Sequence, residues 1–129
     1  MDTNQFKKCP LCGQWFSLED LVFAEFIQPL GMCLDEDRPE GNFYYFNHLV
    51  AKCCTTFVVP VEDFRSRVTE LIPSATFAET DRCQKHCLNL SDHRECTESC
   101  HYTPYRRLLR FMIEVRRRAN RSTEQPVMP

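Results

Sequence analysis

The hydrophobic and polar positions of this chain fall into segments of different period. Phe43-Tyr44-Tyr45-Phe46 is a run of aromatic residues and predicts a strand, because such side chains fit a pleated, half-buried surface. Thr55-Thr56-Phe57-Val58-Val59 predicts another, stopped by Pro60. From Glu62 to Ile72 the period changes. Phe64, Val68, Leu71 and Ile72 follow the i, i+4, i+7, i+8 spacing of one buried helical face, and Pro73 ends it. Leu21 to Ile27 is apolar without a clean period and fits either a strand or a helix. Ser17, with Asp20 three residues later, suits the cap of a brief turn ahead of it. Pro29 and Gly31 interrupt the next stretch. Asp35-Glu36-Asp37-Arg38-Pro39-Glu40-Gly41-Asn42 then reads as the polar tip of a long hairpin.

Near the other end, Thr103-Pro104 is a helix start, with Thr at the cap and Pro in the first turn. Tyr105, Leu108, Leu109, Met112 and Ile113 make one apolar stripe, surrounded by Arg106, Arg107, Arg110, Arg116, Arg117 and Arg118. This helix is expected to run to about Asn120. The pattern as a whole predicts an α+β protein. Residues 1–73 form a small antiparallel ribbon-like sheet with one helix. Residues 74–80 are small and hydroxylated and form a linker. Residues 81–121 hold a cysteine-bearing helical hairpin followed by the basic amphipathic helix, and 122–129 are a loose tail.

Composition adds one constraint. The chain has 129 residues, 43% hydrophobic and 26% charged, which is ordinary for a globular protein. Divided into two parts it would have small cores, and small cores need a staple. Nine cysteines are present, an odd number, so they cannot all pair within one chain. Met1 to Lys8 is polar and no apolar targeting segment follows, and no apolar run of 18 residues exists. The expectation is a cytoplasmic protein with no membrane partner, whose clustered thiols stay reduced and bind metal.

Cys9-Pro10-Leu11-Cys12-Gly13 is the first such cluster. Two thiolates so spaced can grip one tetrahedral ion from a tight turn, and Gly13 lets the backbone reverse there. Between the two predicted strands lie His48, Cys53 and Cys54. His48 and Cys53 are the expected second pair. Cys54 competes, but it begins the following strand and can point into the sheet as a small apolar group. Three cysteines and one histidine would close a structural zinc site. The chain here resembles the zinc-ribbon, or rubredoxin-like, class: Cys9 to Gly13 matches its Cys-Pro-x-Cys-Gly knuckle. The resemblance covers that turn and the second pair at His48 and Cys53, which departs from the usual second knuckle. It implies two turns brought together over a small antiparallel sheet around one ion, and no particular activity.

A second thiol group runs Cys83-x3-Cys87-x8-Cys96-x3-Cys100. On a helix, i and i+4 share a face, so each pair would present its sulfurs in one direction. Thr80 or Asp81 caps the first helix, Leu88 to Ser91 turns the chain, and Asp92 with Glu95 caps the second. Zinc held by Cys83, Cys87, Cys96 and Cys100 is the first reading, giving two ions per chain. Twin disulfides, an iron–sulfur cluster, and a stretched haem-attachment site at Cys96 to His101 are the others. His86 and His101 sit beside these cysteines and are expected on a solvated face.

Charge is uneven. Residues 1–82 carry 7 basic and 13 acidic groups, whereas residues 104–129 carry 7 basic and 2 acidic. The arginine-rich helix leaves nucleic acid open as a partner, though arginines near a helix C-terminus also complement its dipole. No phosphate-binding glycine loop, nucleophile elbow or His-Glu-x-x-His is present, which argues against an enzyme. The expected function is a structural zinc protein acting as a regulatory or adaptor module that binds another protein, with a homodimer as one form. The alternatives are a nucleic-acid-binding regulator and a thiol-redox or metal sensor.

Overall fold

The protein is α+β. In the computed structural model the described residues are 5–35, 38–50, 53–73, 86, 90–94, 96 and 100–124. Strands β1 (Lys7–Lys8) and β2 (Trp15–Phe16) form a short antiparallel hairpin around the first cysteine turn. Helix α1 (Leu18–Phe23) follows at once. Ser17 and Asp20 exchange two hydrogen bonds of 2.9 Å across its N-terminus, the reciprocal cap that their spacing suggests. Strands β3 (Ile27–Asp35), β4 (Arg38–His48) and β5 (Thr56–Pro60) then build an antiparallel sheet in that order. β3 and β4 continue through much of the segment expected to be a loop tip, with Asp35 opposite Arg38 after a register shift.

Side chains alternate along β4 as a half-buried strand requires. Asn42, Tyr44, Phe46 and His48 face inward, and the residues between them are half-exposed. Phe57 and Val59 of β5 fill the same face. Phe46 stacks on Phe57 at 5.6 Å between centroids, and Phe16 of β2 stacks on Phe57 at 5.5 Å. These rings fix the small hairpin against the end of the larger sheet. The helical reading of Glu62 to Ile72 is corrected. Val61–Arg67 is a 3-10 helix that buries Val61 and Phe64, and the chain then leaves helical geometry. Val68 and Ile72 still pack on the core, but Leu71 is 92% exposed, so the expected stripe is not one face.

Helix α2 (Thr103–Glu124) is longer than expected and lies against β3, α1 and the 3-10 helix. Tyr105, Leu108, Leu109 and Met112 join the same core as Phe16, Tyr44 and Phe46. The Tyr44 hydroxyl donates to the Tyr105 carbonyl at 2.6 Å. Burial and the neighbouring Glu62 carboxylate push the Tyr105 phenol up to about 12. Arg106 and Arg116 do not surround the stripe; both are buried and donate to backbone carbonyls, Arg106 to those of Asp92 and Arg94. The linker at 74–80, most of the predicted cysteine hairpin, and residues 125–129 of the tail lie outside the described residues.

Residues 90–94 dock across β3. His93 Nε2 donates to the Leu30 carbonyl at 2.6 Å. A Cβ on Gly31 would stand 1.9 Å from the Leu90 carbonyl oxygen, so only glycine permits this approach of two backbones. Gly31→Ala should therefore destabilise the fold by about 3 kcal/mol in urea unfolding, the size expected of forced overpacking. A change within about 0.5 kcal/mol would mean that the segment does not lie on β3.

Asp92 holds this segment together. Its carboxylate accepts from Arg94 at 2.8 Å and lies 2.8 Å from His86 Nδ1. The Arg94 guanidinium first, then His86, hold the carboxyl well below the usual carboxylate range despite its burial. A folded-state pKa below the unfolded one stabilises at neutral pH, and that contribution disappears as pH falls below the unfolded value of about 3.9. Asp92→Asn should accordingly lower stability near pH 7 and lose that deficit under strongly acid conditions, as read from denaturation midpoints across pH.

Candidate metal centre

Two turns meet at one end of the structure. In the first, Cys9 N–H donates to the Gln14 carbonyl at 2.8 Å and Gly13 N–H to the Cys9 carbonyl at 3.1 Å. Gly13 has φ +81, the left-handed conformation that glycine adopts at little cost. In the second, Val50 accepts from the N–H groups of Cys53 at 2.8 Å and Cys54 at 3.1 Å. His48 N–H donates to the Thr55 carbonyl at 2.8 Å, closing the last rung between β4 and β5. Both turns hang from short antiparallel ladders, which fix where their side chains point.

The structure brings Cys9, Cys12, His48 and Cys53 together. One donor atom from each lies within 4.8 Å of all the others. Cys9 Sγ and Cys53 Sγ are 3.6 Å apart, and Cys12 Sγ is 3.6 Å from His48 Nδ1. With Zn–S near 2.3 Å and Zn–N near 2.0 Å, a tetrahedral site has S···S edges of about 3.8 Å and S···N edges of about 3.5 Å. The residues present therefore fit a zinc ion in both donor type and spacing. Cys9 and His48 are buried, Cys53 is half-buried and Cys12 is exposed.

Local dipoles tune the three sulfurs. Burial raises the Cys9 thiol, but N–H groups of Cys12 and Leu11 directed at its sulfur bring it down to about 7. The Thr55 hydroxyl lowers Cys53 most, ahead of the opposing effect of burial. At Cys12 the Gln14 N–H favours the thiolate, yet desolvation and the neighbouring Cys9 and Cys53 sulfurs push it up overall. An ion arriving here would displace protons from all three.

His48 is wedged between aromatic rings. Phe16 lies edge-on at 4.9 Å and Phe26 at 6.2 Å between centroids. Nδ1 faces the sulfurs, and Nε2 is buried and meets no hydrogen-bond partner among the described residues. Metal-bound histidines usually pass their second N–H to an oxygen acceptor, so this ring is held by packing instead. Phe16, Phe26 and Thr55 were not singled out from the sequence. Phe16 had a signal in its place beside the cysteine turn; Thr55 had only its position two residues after Cys53.

Cys54 does not point into the sheet. It is exposed, its φ is +50, and its Sγ lies 3.5 Å from the Val50 carbonyl, away from the cluster. The strand starts later, at Thr56. Of the second thiol group, Cys83 and Cys87 lie outside the described residues, and Cys96 and Cys100 are half-buried. No second metal-holding group occurs among the described residues. His86 and His101 are not on a solvated face. His86 meets Asp92, and His101 Nδ1 donates to the Pro73 carbonyl at 2.8 Å while its Nε2 meets Glu62. No helix among the described residues is long and apolar enough to cross a membrane. No protein-family model, curated protein or solved structure matches the chain, and the Cys3His cluster is what marks it as carrying a metal-binding site on an α+β fold.

Proposed function

We propose that Cys9, Cys12, His48 and Cys53 hold one structural zinc ion, and that the protein so stabilised acts as a binding module for another protein. The observation that carries the metal reading is the convergence of those four donors within 4.8 Å of one another, two of the pairs at 3.6 Å, from turns far apart in the chain. Four protein donors leave no open coordination position, which separates a structural zinc from a catalytic one. The cluster contains no carboxylate to serve as a base. This arrangement agrees with what a zinc-ribbon resemblance implies. Bound there, zinc would cross-link the β1–β2 hairpin to the β4–β5 connection. Free cysteines at this position suit a reducing compartment such as the cytoplasm.

The protein-binding reading rests on what surrounds the ion. Leu11 on the first turn is 67% exposed, and Leu49 and Val50 on the second are exposed too. Exposed apolar side chains on turns that meet at one site suit contact with a protein surface. The arginines of α2 support nucleic acid less. Arg106 and Arg116 are buried, Arg107 meets Glu70, and Arg117 and Arg118 share Glu114.

Metal analysis of protein purified without added metal tests the ion. About one zinc per chain is expected at this cluster. A count near two would extend the proposal to Cys83, Cys87, Cys96 and Cys100. A Cys9→Ser, Cys53→Ser double variant should lose one ion from whichever count is found, and an unchanged count would overturn the assignment. For the binding role, a photo-crosslinker at Leu11 or Leu49 should capture one discrete protein, competed by unlabelled chain and lost after chelation. Capture of nucleic acid instead would favour the arginine helix.

A further inference from the structure

We infer that the Thr55 hydroxyl is a positioning group of the metal centre, donating a hydrogen bond to the Cys53 sulfur when the ion is bound. This rests on the metal reading above. Thr55 Oγ1 lies 3.2 Å from Cys53 Sγ. With the sulfur protonated, the S–H is the donor and the hydroxyl oxygen accepts. Metal binding sends that proton to solvent and leaves a sulfur with lone pairs only. A hydroxyl both donates and accepts, so the same contact reverses by rotation of one O–H bond. Neither heavy atom needs to move.

Thr55 also touches the centre a second way. Its carbonyl accepts the His48 N–H at 2.8 Å, so one residue is tied to two of the four donors. A β-branched residue with few χ1 options is well suited to hold a hydroxyl in one direction beside a strand. The neighbouring polar pair, Thr56 Oγ1 to Asn47 Oδ1 at 2.5 Å, is exposed and separate from the cluster. Donation to a metal-bound thiolate draws charge from the sulfur. It makes the sulfur a poorer nucleophile and stabilises it against reprotonation and release.

The test uses cobalt(II) as a spectroscopic substitute for zinc in the full chain and in two variants. Thr55→Val keeps the branched shape and the backbone bond but has no donor; Thr55→Ser keeps the donor. In Thr55→Val the sulfur-to-cobalt charge-transfer band should move to lower energy, and zinc affinity in chelator competition should fall about tenfold, the lower end for loss of a ligand's supporting partner. Alkylation of Cys53 by iodoacetamide should be faster. Thr55→Ser should restore band position and affinity. Equal spectra and affinities in all three chains would overturn the role of Thr55 while leaving the metal site standing. So would equal changes in Val and Ser, which would point to packing. If the unsubstituted chain itself binds neither cobalt nor zinc, the metal reading fails. Thr55→Ala replaces Thr55→Val should the latter not fold, with the same expected shifts.

Discussion

Chelating the metal under reducing conditions should abolish cooperative thermal unfolding or lower its midpoint by more than about 15 °C. The size follows from two magnitudes. Small domains are stable by only about 5–15 kcal/mol, and structural zinc sites contribute about 10 kcal/mol of apparent binding free energy at neutral pH. The effect should not stay local. Cys9, Phe16, Phe46, Phe57 and Phe64 belong to one buried cluster that also takes in Tyr105 and Met112 of α2. Releasing the β1–β2 hairpin removes Phe16 from between His48 and Phe57, which opens the sheet core from its end. Adding zinc back should restore the transition, and calorimetry with and without the ion measures it. Cys12→Ser should show a smaller loss than Cys9→Ser, because Cys12 is exposed and Cys9 is buried.

Replacing Arg116 by Met should cost about 4 kcal/mol, well beyond the roughly 1 kcal/mol of an average substitution. The Arg116 guanidinium is a buried cation that faces backbone carbonyls. It donates to Val22 at 2.6 Å, Leu21 at 2.8 Å, Ala24 at 3.0 Å, Met112 at 3.1 Å and Ile27 at 2.5 Å. Helix α1 has no basic residue in its own last turn, so its terminal carbonyls are satisfied from α2 across the core. Burial lowers the guanidinium to about 10, which leaves it charged at neutral pH. Met fills much of the volume but strands several acceptors, each worth about 1–3 kcal/mol when buried and unpaired, and not additive. Lys should rescue little. Its three donors radiate from one point and cannot reach both sides of the α1 terminus as a planar fork does. Urea titrations of the two variants decide this; losses below about 1 kcal/mol in both would show that the carbonyls find other donors.

Much of this architecture could be read before the fold was known, and the unread parts have physical reasons. The aromatic run at Phe43 to Phe46 and the β-branched residues around Phe57 announce strands because such side chains fit a pleated, half-buried surface. The cap at Ser17 and Asp20 is local, and so is the glycine-closed turn at Cys9 to Gly13. In the second turn the structure sets Cys53 in the cluster and turns Cys54 outward, through a positive φ that no sequence pattern marks. The segment after Pro60 misled because Phe64, Val68 and Ile72 do all reach the core, but from an irregular path rather than one helical face. Arg106 and Arg116 misled for a different reason. Charged residues are assigned to the surface by default, and their burial depends on carbonyls supplied by distant segments. Gly31 looked like a breaker; its role is to admit the Leu90 backbone, a contact between segments far apart in the chain.

The most direct measurement is X-ray absorption at the zinc edge on protein purified without added metal. The account predicts that removing Cys9 and Cys53 abolishes a first shell of three sulfurs near 2.3 Å and one nitrogen near 2.0 Å. A shell that survives that double substitution unchanged, or one dominated by oxygen, would contradict it.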